Sequence, residues 1–167
     1  MRTLAILLLT SALAFGQGTI GLNVSLDNKL TFVGDDKGND AFTLDITTRF
    51  VMQGYEKKLS YYISGYLQLA AKYEFADLNG GAFNRYGVEV GYTFLYNNFN
   101  VGLMPFAGYG ILSREDKGAT RSFEFGTTVH YKILPKLKII TTFVFTERTD
   151  IGNGFRFNAN TGIQVEL

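Results

Sequence analysis

Thirteen ionisable residues could do chemistry here: Asp45, Arg49, Lys72, Glu74, Arg85, Glu89, Glu124, His130, Lys132, Lys138, Arg148, Arg156 and Glu166. Carboxylates and cations can move protons, hold a metal, guide an ion or simply pair with one another. Spacing decides among these. Each falls in the same phase of a pattern that alternates every second residue, so each belongs to one face of a strand. Acids and bases recur on neighbouring segments at similar heights. Such a set predicts a paired ion network filling a narrow polar interior, because an unpaired charge in that setting is costly. A polar conduit or a small-ligand site is the alternative use of the same residues.

Catalysis and metal binding find little support. His130 is the only histidine, no serine on its segment is spaced to pair with it, and one histidine cannot build a zinc site. The acid pairs lack metal-ligand spacing. With no cysteine in the chain, thiolate metal sites, disulfides and a cysteine nucleophile are excluded. The glycine-rich stretches follow the strand period, not a phosphate-loop pattern. The expectation is therefore no catalytic residue, no metal and no cofactor, with His130 a hydrogen-bonding residue of the interior. Pro105 stands apart. Inside a strand its missing N–H breaks the ladder, so a bulge is expected there, or a weakened lateral seam that a lipid tail could use. Met104 and Phe106 are expected to point inward beside it, with Tyr62 and Tyr66.

The elements that must position these residues are strands. In VEVGYTFLYNNFNVGLMPFAGYGIL (88–112), large apolar residues occupy alternate positions on both sides of Asn97-Asn98, a hairpin signal. The same period gives eight runs, at 18–33, 41–54, 59–76, 83–96, 99–113, 120–133, 137–149 and 154–167. No window holds a helical period. Gly54–Lys58, Asn97-Asn98 and Leu134–Lys136 are expected as tight turns. The connections at 34–40, 76–84, 113–120 and 146–154 are longer, polar and rich in Gly and Asp. In an up-and-down meander, one end carries the short turns and both termini, and the other carries the four longer loops.

Which face meets solvent follows from size. The apolar phase includes Leu22, Val24, Phe50, Leu67, Leu69, Phe125 and Val165, too bulky a set from every strand for an eight-strand interior. The other phase carries Gly87, Gly91, Gly102, Gly108, Gly110, Gly126 and Gly162, where a solvated surface would carry Lys and Glu. The apolar face is thus expected to face lipid and the small, polar face a tight lumen. Aromatics fall in two bands, a dense one towards the long loops (Phe32, Phe42, Tyr73, Phe123, Phe145, Phe157) and a sparser one near the turns (Tyr61, Phe94, Tyr96, Tyr131), as at two membrane interfaces. In lipid every backbone polar group needs an internal partner, so the strands must close into a barrel.

Composition and the start of the chain agree. With 46% apolar residues and a net charge of +1, the chain is neither disordered nor a nucleic-acid binder. MRTLAILLLTSALAFG (1–16) has the basic start, apolar centre and small-residue end of a signal peptide. Its apolar run falls short of the ~20 residues that a membrane-spanning helix needs. This leaves one domain, residues 17–167.

The mature chain resembles the small eight-stranded outer-membrane barrels of the OmpA/OmpX type. The resemblance covers its whole length and lies in architecture: a signal peptide, eight alternating segments, short turns at one end and longer loops at the other. It implies an all-β, antiparallel up-and-down transmembrane barrel in a bacterial outer membrane, with both termini periplasmic and four longer loops extracellular. The expected partners are outer-membrane lipids, lipopolysaccharide and the assembly machinery, with the barrel monomeric and its role structural or interactive. Such barrels commonly end in an aromatic residue, whereas this chain ends Gln164-Val165-Glu166-Leu167. The remaining alternatives are a lipid-modifying barrel enzyme (an acyltransferase or deacylase), a narrow solute channel and a soluble periplasmic lipocalin-like ligand-binding barrel.

Overall fold

Alternation of apolar and small residues builds a single antiparallel sheet. The computed structural model describes residues 18–35, 38–79, 81–96, 98–115, 118–148 and 154–167. The expected signal peptide and Asp36 lie outside the described residues. The strands are β1 (Ile20–Asp27), β2 (Asp45–Gln53), β3 (Lys57–Lys58), β4 (Ile63–Ala76), β5 (Phe83–Tyr96), β6 (Val101–Arg114), β7 (Gly118–Leu134), β8 (Leu137–Glu147) and β9 (Phe155–Glu166). The sheet order is β2-β1-β9-β8-β7-β6-β5-β4-β3, and an additional β2–β4 pairing closes it on itself. The two-residue β3 continues the line of β2 along β4. Eight staves therefore make the barrel, and no lateral edge remains. Among the described residues, no helix is long and apolar enough to cross a membrane.

Two expected connections are placed differently. Gln53 pairs with Gln68, but Lys57 pairs with Gly65, so four steps on one strand match three on the other. Gly54 N–H still donates to Leu67 O at 2.7 Å. Gly54–Lys58 is thus a bulge within a stave, not the turn. The turn comes later, where Leu59 and Ser60 N–H both donate to Ile63 O at 2.9 Å. Tyr62, expected in the lumen, lies in that turn and is exposed.

The first run also ends early. Asp27 accepts from Leu30 N–H at 2.9 Å and caps a short helix, α1 (Asn28–Phe32). Its carboxylate satisfies an N–H that the first helical turn leaves free. The second run starts at Asp45 instead of residue 41, because Phe42 adopts a positive φ of 68° that no strand accommodates. The segment between folds over the barrel mouth. Asn39 donates to both Asp35 carboxylate oxygens and accepts from Asn79 N–H, which ties this connection to the one after β4.

The two faces separate as their residues require. Leu22, Val24, Phe50, Leu67, Val88, Val90, Ile139 and Ile163 project outward and stay exposed, while Asn23, Ser25, Thr47, Gln68, Thr93, Thr142 and Gln164 are buried inside. On β7, β8 and β9, Phe125 contacts Phe145 (5.4 Å between ring centres) and Phe155 (5.3 Å), and Phe145 contacts Phe157 (5.2 Å). These rings form a continuous outer aromatic surface at the long-loop end.

Candidate functional site in the barrel lumen

Cross-strand register brings the inward charges together. Arg49 lies opposite Lys72, Glu74 opposite Arg85, and Gly108 stands between Glu89 and Glu124 on its two neighbouring strands. Gly108 has to be small. A methyl group there would sit 2.9 Å from Glu124 Cγ and Oε1 and 3.0 Å from Glu89 Cγ. Glycine on β6 is what lets two long acids from β5 and β7 share the lumen.

Six side chains then form one buried cluster. Arg49 Nε donates to Glu89 Oε2 at 2.9 Å and Oε1 at 3.1 Å. Lys72 Nζ lies 2.8 Å from Glu124, 3.0 Å from Glu74 and 3.8 Å from Glu89. Arg85 Nη1 lies 2.6 Å from Glu124 and 3.5 Å from Glu74. Three cations therefore face three carboxylates from β2, β4, β5 and β7, and all six are buried. Such burial is tolerable only because the charges balance and pair, while Arg49 Nη1 and Nη2, Arg85 Nε and Nη2 and Glu124 Oε1 have no hydrogen-bond partner among the described residues.

Apolar side chains flank the cluster along the barrel. Ala76, Phe83 and Leu112, with Leu78 against them, pack on the long-loop side. Met104, Phe106 and Val144 pack on the turn side. Met104 and Phe106 point inward as expected, and Tyr66 is buried near the turn end.

The other expected members of the network lie elsewhere. Asp45 is buried beside the long-loop mouth, opposite Ala76, and its Oδ1 has no hydrogen-bond partner among the described residues. The Arg148 guanidinium lies over the Phe83 ring at 4.7 Å. Arg156 is exposed at the same mouth. A cavity of about 310 Å³ there is lined by all three, together with Asp27, Arg114 and Asn158. His130 and Lys132 lie at the opposite end, in a second cavity of about 320 Å³ that Lys138 and Glu166 also line. Lys138 and Glu166 pair at 2.5 Å. The one network expected thus resolves into a central cluster and two charged mouths. Tilted staves place residues of the same phase at different depths, which a linear reading of heights does not capture.

At Pro105 the expected break in the ladder is present, without the expected bulge. Around it β5 and β6 lose the Tyr92 and Thr93 rungs, yet Gly91 still pairs with Phe106 and Phe94 with Leu103 in one register. No residue is inserted, so the feature is a gap in the ladder and not a bulge. Pro105 itself points outward and is exposed. The register shift on the β7–β8 ladder lies between Lys132 and Leu134. Among the described residues, no group of three or more His, Asp or Glu is placed to hold a metal ion.

A closed eight-stranded antiparallel barrel with an apolar exterior and a polar, charged interior is the fold of the small outer-membrane β-barrels. Among solved structures, the backbone of the Yersinia pestis outer membrane protein Ail in a phospholipid bilayer nanodisc is similar to this chain. Its TM-score is 0.52 at 14% identity, over 90% of this chain and 100% of that one. A crystal structure of Ail aligns with a TM-score of 0.47 at 12% identity, over 90% and 97% of the two chains. A de novo designed transmembrane β-barrel aligns with a TM-score of 0.43 at 12% identity, over 90% and 95%. No protein-family model matches the sequence, and no curated protein matches it.

Proposed function

We propose that this protein is an integral outer-membrane barrel without catalytic activity, with a closed lumen and a structural or interactive role. The observation that carries the reading is the balanced central cluster. Its three cations and three glutamates reach across the lumen from four strands, between two apolar layers. Paired in this way, the charges act as a plug, because separating them in an interior of low dielectric is unfavourable. Eight strands also enclose only as much space as side chains fill, whereas water-filled porins need about 16–18 strands.

In this reading the turn end and both termini are periplasmic and the longer connections are extracellular. The barrel is a monomer, inserted by the outer-membrane assembly machinery. Acidic residues of the first long connection, such as Asp35 and Asp40, bridge divalent cations to lipopolysaccharide. Fractionation of cells expressing the full chain tests the placement. The protein should partition with the outer membrane and migrate differently on cold SDS gels before and after boiling. A monomeric β-protein recovered in the aqueous periplasm without detergent would remove the membrane reading and favour the soluble barrel.

A further inference from the structure

The second cavity has features that a structural barrel does not need. At the turn end, an open cavity of about 320 Å³ is lined by Gln53, Glu56, Tyr66, Leu95, His130, Lys132 and neighbouring residues. His130 and Gln53 are 6% and 4% exposed, yet His130 Nε2 and Gln53 Nε2 have no hydrogen-bond partner among the described residues. The Tyr66 hydroxyl on the same cavity is a third such group; buried polar groups are almost always satisfied, so the three point to something that occupies it. Gly102 holds the histidine in place. A methyl group there would meet the imidazole at 2.0 Å, so the ring lies directly against the Gly102 backbone.

The lining carries two lysines, Lys132 and Lys138, against two glutamates, Glu56 and Glu166. The Gln53 amide nitrogen can only donate, and its Oε1 accepts from Thr19 Oγ1 at 3.0 Å. Lys138 is neutralised by Glu166 at 2.5 Å, but its cross-strand neighbour Lys132 has no ion-pair partner among the described residues. Glu56 on the rim accepts from Ser64 Oγ at 2.5 Å. Lys57, Lys58 and Lys136 add positive charge to the same end of the barrel, which favours approach by an anion. Leu95 and the Tyr66 ring supply an apolar wall.

We propose that this cavity binds a small organic carboxylate. Its oxygens take the Gln53 amide, the His130 imidazole and the Lys132 ammonium, and its apolar part lies against Leu95 and the Tyr66 ring. The site goes beyond the closed barrel proposed above, and it leaves the central plug intact.

The single histidine gives a direct readout. The full-length mature barrel in phosphocholine nanodiscs, with its imidazole labelled with ¹⁵N, would be titrated with benzoate and, separately, with benzyl alcohol. The proposal expects the His130 resonances to shift saturably with benzoate and not with the neutral alcohol. Lys132→Gln, at an exposed position that spares the fold, should weaken the benzoate response by about tenfold, the factor expected for one lost charge-assisted hydrogen bond. Absence of a saturable shift with benzoate would overturn the proposal and assign the cavity to solvent alone. An equal response to benzyl alcohol, or one unchanged by Lys132→Gln in a barrel that still shows heat-modifiable migration, would overturn it as well.

Discussion

Glu124 joins the two sides of the lumen. It is fully buried and accepts from Lys72 Nζ at 2.8 Å and from Arg85 Nη1 at 2.6 Å. Glu124→Gln keeps the shape but leaves three cations facing two carboxylates. We expect it to lower folding stability by ~3–5 kcal/mol, the usual consequence of breaking one side of a buried pair. Equilibrium refolding into lipid vesicles against urea measures this, and a change below about 1 kcal/mol would show that Glu124 is not held by those cations. Gly108→Ala tests the same cluster from the backbone side. The added methyl would crowd Glu89 and Glu124 at 2.9–3.0 Å, and overpacking of this kind costs ~1–3 kcal/mol. Wild-type stability in that variant would mean that the glutamates move aside freely. Period two identifies these charges as inward residues, and it identifies the glycines as lumen residues too. It does not reveal that Gly108 separates two particular acids, since that depends on the register of β5 and β7 against β6. Asp45, Arg148, Arg156, His130 and Lys132 share the phase of the cluster but not its depth, which is fixed by the tilt of the staves.

At the scale of the strand, neighbouring residues on one stave have opposite environments. Leu67 projects outward from β4 and Gln68 is buried inside it. Leu67→Arg should lower stability in bilayers by ~2–4 kcal/mol, because it leaves a charge in hydrocarbon. Gln68→Arg should cost less, and the paired comparison in one lipid is the measurement. Equal or reversed costs would mean that the two faces have been exchanged. The eight staves and their hairpin order are legible in the sequence because long alternating runs with polar breaks leave few other arrangements. Their ends are less so. Asp27 lies in phase with its strand, and its role as a helix cap depends on the Asn28–Phe32 backbone turning beneath it. Asp followed by a short polar–apolar segment is a capping signal, and the strand period obscured it. Gly54 and Lys57-Lys58 look like a turn, yet the ladder against β4 resumes after them, and the reversal falls at Leu59–Ile63.

For the whole molecule, the apolar exterior and the charged interior impose opposite demands. Exposed Leu, Val, Ile and Phe around the wall need hydrocarbon. The lumen needs its six central charges to remain paired. The proposed closed lumen would make this barrel a membrane-spanning cylinder without a pore, and current through it measures that property most directly. Purified wild-type protein in planar bilayers at neutral pH should give no steady conductance. Glu89→Gln, which removes the carboxylate that binds Arg49 Nε at 2.9 Å, should give brief, flickering openings or a loss of stability. A reproducible, steady, ion-selective current from the unmodified barrel would contradict the plugged lumen and make the protein a narrow channel.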